Sequence, residues 1–184
     1  MEKRLVSPGK FKTVFQTVEK QYSSEIVDKW TAVPEFTALA LGNTIRKGLC
    51  AEIADTLHLW YSREYWSLDA IYYTAKQEKY FSQKATYAEY IAIALEHENN
   101  YKTSYEEINK LAIFSSPLKV LITYPQGDFG KLLDEYADII SKADIFSNFD
   151  NLQRHLVIFG FLNKDKNQVD WKFFLYGSHR FNPI

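Results

Sequence analysis

The sequence predicts an α/β protein in which helices flank a mixed central sheet. A mainly helical part (residues 1–58) precedes the sheet-forming part (59–184), and both belong to a single domain of 184 residues. Three observations carry this. Apolar residues recur at helical spacing over residues 8–29 and again over 129–140. The runs at 65–74, 87–98, 118–124, 156–161 and 169–176 are aromatic and β-branched, as strands are. In the second part, strands alternate with helical stretches long enough to carry parallel crossovers.

Ser7-Pro8 supplies a capping hydroxyl and a proline for the first helical turn. Phe11, Val14, Phe15, Val18 and Tyr22 follow at helical spacing, so a helix is expected to about Lys29. Pro34 interrupts, a short helix fits Glu35 to Leu41, and Gly42 stops it. Ile45, Leu49, Ile53 and Leu57 recur every four residues and predict a third helix from Thr44 to about His58, weakened by Gly48. Leu59–Ser62 and Tyr65–Thr74 read as strands with Arg63-Glu64 at the turn. The polar stretch 75–86, with Lys76, Lys79 and Lys84, leads into a strand from Tyr87 to Glu98.

Ser104 and Glu107 fit a capping box, so a helix is expected from there to about Phe114. LKVLITY at 118–124 is nearly continuous in apolar character, as in a strand buried on both faces, and Pro125-Gln126-Gly127 turns the chain. Asp128 can cap the next helix, whose stripe is Phe129, Leu132, Leu133, Tyr136, Ile139 and Ile140. Strands at Leu156–Phe161 and Val169–Tyr176 join through the polar NKDKNQ turn.

Composition narrows the function classes. The net charge of −1 provides no global field toward nucleic acid, so a polyanion site must be a local patch. A lone Cys50 excludes an internal disulfide and a cysteine-rich zinc site. No run approaches a membrane span and the N-terminus lacks an apolar leader core, so a soluble, cytoplasmic protein without a membrane partner is expected. No phosphate-cradling or dinucleotide glycine motif is present, and nothing supports a Ser/His/Asp or Cys/His arrangement.

The chemistry concentrates in YIAIALEHEN, residues 90–99. In a strand, Glu96 and Glu98 share one face with Ala92 and Ala94, while Ile91, Ile93 and Leu95 point into a core. Asp69 interrupts the aromatic strand WSLDAIYYT, where strand propensity for an acid is poor. If the two strands are antiparallel neighbours in a suitable register, Asp69 meets the glutamate pair. Hard oxygen ligands with open positions suit Mg²⁺, with Mn²⁺ as a substitute. Asp69, Glu96 and Glu98 are therefore the candidate metal ligands and catalytic groups.

Leu68-Asp69 followed by Glu96-His97-Glu98, then a helix and a buried strand, resembles the active site of the PD-(D/E)XK nuclease superfamily, the restriction endonuclease-like fold. The resemblance covers residues 48–142. It implies a Mg²⁺-dependent endonuclease hydrolysing phosphodiester bonds, with DNA as partner, and a homodimer where both strands are cut. Two positions depart from the motif: Leu68 stands where proline is usual, and Glu98 replaces the lysine. The resemblance offers two remedies. Some enzymes of this fold carry glutamate there, and others draw the lysine from elsewhere, for which Lys110 on the following helix is the candidate. The spacing instead sets Lys110 opposite the Tyr105/Ile108/Leu111 face, paired with Glu106 on the surface.

The resemblance also suggests Glu52 as an acid completing the site, whereas amphipathicity makes Glu52 and Asp55 a wet helix face. Lys76, Lys79, Lys84 and Arg63 could meet phosphates, with Tyr80 and Phe81 stacking on bases. His97 is read as packed, Asn99 as a turn former and Cys50 as buried. Two alternatives stay open: a member of the fold that has lost its chemistry and serves as a binding or assembly subunit, and a small-molecule hydrolase.

Overall fold

The computed structural model describes residues 5–74, 88, 90–143 and 154–184. Ser7 accepts the Lys10 N–H at 3.2 Å, Pro8 takes the first turn, and α1 runs Pro8–Lys29, as the sequence predicts. Helix α2 spans Val33–Leu41 and ends at Gly42, whose φ of +83° suits glycine.

The third helix is shorter than expected: α3 covers only Leu49–Thr56. Asn43 Oδ1 accepts the N–H groups of Ile45 and Arg46 at 2.9 and 2.8 Å, closing a side-chain turn that competes with helix. Gly48 then packs against Gly42 so closely that a Cβ on it would lie 2.2 Å from the Gly42 nitrogen. Ile45, counted into the helical stripe, is consequently 94% exposed.

Strands β1 (Trp60–Tyr65) and β2 (Leu68–Thr74) turn at Trp66-Ser67, correcting the turn expected at Arg63-Glu64. Arg63 pairs with Ala70 within the ladder, and Glu64 and Trp66 adopt φ of +54° and +56°. Strand β3 is Tyr90–Glu98, with Ala88 outside it and the expected start at Tyr87 outside the described residues, and α4 follows at Ser104–Ile113. Strand β4 (Leu118–Thr123) is buried along its whole length, as its apolar run implies. Asp128 Oδ1 accepts the Gly130 N–H at 3.0 Å and opens α5, Phe129–Ala143. Strands β5 (Arg154–Asn163) and β6 (Gln168–Gly177) follow. A last strand that the sequence did not announce, β7 (Arg180–Pro183), lies at the sheet edge where proline is tolerated.

The seven strands lie in sequence order, with β3, β4 and β5 parallel and the outer neighbours antiparallel. Helices α1–α3 cover one face, where Phe11, Phe15 and Ile53 meet Tyr72, Ile93 and Leu95. Helices α4 and α5 cover the other, where Ile108, Leu111, Tyr136 and Ile140 meet Ile71, Leu121 and Phe159. A bulge shifts the register between Tyr72 and Tyr73, so Tyr72 pairs with Ile93 and Tyr73 with Ile91. The extra residue reverses the alternation: Ile91 packs in the α4/α5 cluster and Ala92 in the other, opposite to the expectation. No described helix is long and apolar enough to cross a membrane.

Candidate functional site

The β2–β3 register sets Ala70 opposite Leu95, which brings Asp69 beside Glu96 where the ladder ends. There the two residues exchange side-chain for main-chain bonds. Asp69 Oδ2 accepts the His97 N–H at 2.8 Å, and Glu96 Oε2 receives the Asp69 N–H at 3.4 Å. Neighbouring antiparallel strands thus carry the two acids on one face, at the carboxyl end of β3. In open α/β sheets, that edge is where ligands bind.

Glu96 is 1% exposed. Burial pushes its carboxyl up to about 9, reinforced by Asp69 and Glu107 and opposed by Lys110. Glu98, on the same face, is half-buried and bonds back to the Asn100 N–H at 2.6 Å. Its pKa is also raised, by burial first and then by Glu107 and Asp69. These couplings place all four carboxylates in one electrostatic neighbourhood.

Lys110 belongs to this neighbourhood, which corrects its expected surface pairing with Glu106. Its Nζ lies 3.0 Å from Glu96 Oε1 and also pairs with Glu107. The helix face explains the difference. Tyr105, assigned to the buried stripe, is 46% exposed, whereas Ser104, Ile108, Leu111 and Ala112 are buried. Dropping Tyr105 and adding Ser104 rotates the packed face toward Glu107 and Lys110, so the lysine reaches under the helix to β3. Burial works against its charge, but the bonds to Glu107 and Glu96 outweigh it and raise its pKa.

The capping box does not form. Thr103 is the N-cap without a side-chain bond, and the Ser104 hydroxyl donates to the Tyr101 carbonyl at 2.5 Å and meets the Tyr136 hydroxyl. Glu107, released from capping, is the site residue that sequence reasoning missed. Its spacing of three from Lys110 was the signal available.

Glu52 is not brought to the acids. It sits on α3 across the sheet, 3.4 Å from Lys47, on the wet face that its amphipathic pattern indicates. His97 is buried, bonded to the Tyr124 hydroxyl at 2.7 Å, and burial lowers its pKa to about 4. Asn99 bonds the Thr37 hydroxyl at 2.8 Å instead of forming a turn of its own. Cys50 is buried, which pushes its thiol up to about 12. Lys76, Lys79, Lys84, Tyr80 and Phe81 lie outside the described residues.

Among the described residues no three His, Cys, Asp or Glu side chains gather around a point that could hold a metal. Glu98 turns back to Asn100 and Glu107 to Lys110. Asp69 and Glu96 are engaged as well, by the His97 N–H and by Lys110, and are the two carboxylates that meet across the strands. Two carboxylates are about what Mg²⁺ takes from a protein, and an ion binding here would have to exchange with Lys110 at Glu96.

Compared with known protein families, with characterised proteins and with solved structures, the chain matches none. Its geometry alone defines its class: an α/β protein whose mixed sheet carries paired acids and one lysine at the end of β3.

Proposed function

We propose that the protein is a metal-dependent nuclease of the restriction endonuclease-like fold, hydrolysing phosphodiester bonds in DNA. The observation that carries this is the Lys110 ammonium 3.0 Å from Glu96, beside the Asp69–Glu96 exchange. An acid from β2, an acid from β3 and a lysine thus meet at one place although the motif lysine itself is missing. The succession α3, β1, β2, β3, α4, β4, with β3 and β4 parallel, supports the same reading.

In this reading Asp69 and Glu96 would hold Mg²⁺ or Mn²⁺. The bound ion supplies Lewis-acid polarisation of the phosphoryl group and a more acidic water. The other roles fall to the chain. Lys110 only partly opposes the burial and the neighbouring acids that raise the Glu96 pKa, so an ion bound between the acids would complete its ionisation, and the ammonium would face charge developing on the phosphate. Glu98, on the same face, would orient the attacking water on giving up its bond to the Asn100 N–H. The Asp69–His97 bond fixes the aspartate rotamer, so the site is preorganised by its own backbone.

A lysine beside the acids favours this reading over a subunit without chemistry, whose main support was the absent motif lysine. The test is plasmid and linear DNA incubated with Mg²⁺ or Mn²⁺. The wild type is expected to cut, Asp69→Asn to fall to background, and Lys110→Met to lose about 100-fold or more. Equal cutting by wild type and Asp69→Asn overturns the reading. Divalent binding without cleavage transfers it to the binding subunit.

A further inference from the structure

On the face of the sheet opposite the acids, a cleft of about 610 Å³ opens between the α2–α3 loop and the edge strand β1. Gly42, Arg46, Lys47, Gly48, Tyr61 and Arg63 are among the residues that line it. Three of these side chains are cationic. Their carboxylate partners are Glu25 for Arg46, Asp55 and Glu52 for Lys47, and Glu64 for Arg63, with side chains 44%, 61%, 36% and 72% exposed, and Arg63 also donates to the Gly42 carbonyl. The Arg46–Glu25 pair is bidentate and stays closed, whereas exposed single-contact pairs such as those of Lys47 and Arg63 contribute only about 0–1 kcal/mol each, so a phosphate can exchange with those two. The loop is preshaped by the two Asn43 bonds and the Gly42–Gly48 contact, so it need not reorganise to receive a ligand.

The cleft and the acid pair meet at one end of the same hairpin. Arg63, in the cleft, pairs with Ala70, the residue after Asp69. The hairpin turn lies between the two faces, and its Trp66 is 86% exposed with φ of +56°. A positive φ is uncommon for a tryptophan, and the turn leaves this ring in solvent. It has the form of a stacking platform, and stacking a base on an aromatic ring contributes about 1–3 kcal/mol whatever the base.

We infer that the cleft is a subsite for a single-stranded polynucleotide that leaves the acid pair, passes over Trp66 and continues between Arg46, Lys47 and Arg63. The path turns from one face of a sheet to the other, a distance on the order of 10 Å. Duplex DNA, with a persistence length of about 50 nm, cannot follow so tight a turn, and a single strand can. The inference rests on the nuclease reading and deepens it, since it makes a single strand or a frayed end the substrate.

The test is fluorescence anisotropy of labelled single-stranded DNA, single-stranded RNA and duplex DNA in EDTA, so that binding is read without cleavage. Asp69→Asn is run alongside, and divalent-dependent cutting is scored separately. Wild type is expected to bind single strands at least about 10-fold tighter than duplex. Trp66→Ala should weaken single-strand binding by about 5- to 100-fold. Lys47→Gln and Arg63→Gln should each weaken it and lower the slope of log affinity against log salt by about 0.7. These positions are partly or largely exposed, and an unchanged melting temperature checks that each variant folds. The relative affinity for DNA and RNA decides which sugar the subsite takes.

Binding that depends on these residues, without cutting by wild type, keeps the subsite and removes the nuclease. Cutting by wild type with binding indifferent to Trp66, Lys47 and Arg63, or with duplex preferred, overturns the subsite and leaves the nuclease standing.

Discussion

Glu107 and Lys110 divide one task between them. Lys110 touches Glu96 directly, while Glu107 touches only Lys110 and sits one helical turn before it. Glu107 is therefore a positioning residue in the proposed reaction, acting through the ammonium it holds. Its replacement should cost less than loss of the lysine and should add nothing once the lysine is gone. Glu107→Gln is expected to lower kcat about 10-fold with little change in KM for DNA. The double variant with Lys110→Met should be no slower than Lys110→Met alone, a coupling that single-turnover cleavage measures directly. Additive losses would assign Glu107 a contact of its own with metal or substrate.

At the scale of elements, the α2–α3 connection is set by backbone contact and not by side-chain pattern. Gly48→Ala should cost about 3 kcal/mol, because its methyl meets the Gly42 and Leu41 backbone, which has no flexible end to move. Gly9→Ala, with nothing within 4 Å, should be neutral or add about 0.5 kcal/mol. Urea denaturation separates the two. The same junction shows why some elements were legible and others were not. Ser7-Pro8, the buried run of β4 and the Asp128 cap are local signals, and each appears where its chemistry predicts. The stripe Ile45–Leu49–Ile53–Leu57 was equally regular, yet the Asn43 turn overrode its first member. The bulge in β3 leaves no mark in a sequence where Ala, Ile and Leu suit either face, so the side of Ile91 could not be read. At the site, the meeting of Asp69 with Glu96 followed from strand period and order. The reach of Lys110 depended on which residues α4 buries, and the apolar count misjudged that by admitting Tyr105.

At the scale of the molecule, buried titratable groups of opposite habit give stability a maximum in pH. Burial holds His97 down at about 4 and places His155 well below its ordinary value, with Lys119 adding to the latter. Below pH 6.5 the unfolded chain takes up protons that the fold refuses at both histidines, so stability is lost as pH falls toward 4. Glu96 has the opposite sign. Its folded value of about 9 lies above the ordinary 4.5, so the stability it contributes is complete below 4.5 and is lost as pH rises through 9. Glu19 and Glu98, also raised by burial, tilt the curve the same way. In the acid range Glu96 offsets about one of the two histidine protons. In the neutral to alkaline range it acts with no histidine opposing it. The wild type should therefore be most stable near pH 6.5 and decline on the alkaline side by about 1 kcal/mol per pH unit. Glu96→Gln should flatten that alkaline limb and be the more stable protein at pH 8, while abolishing cleavage, the trade expected where a buried acid serves a site. His97→Gln should flatten the acid limb instead. Urea midpoints from pH 5 to pH 9 test both, and an alkaline limb that persists in Glu96→Gln would mean that Lys110 already keeps Glu96 ionised in the folded state.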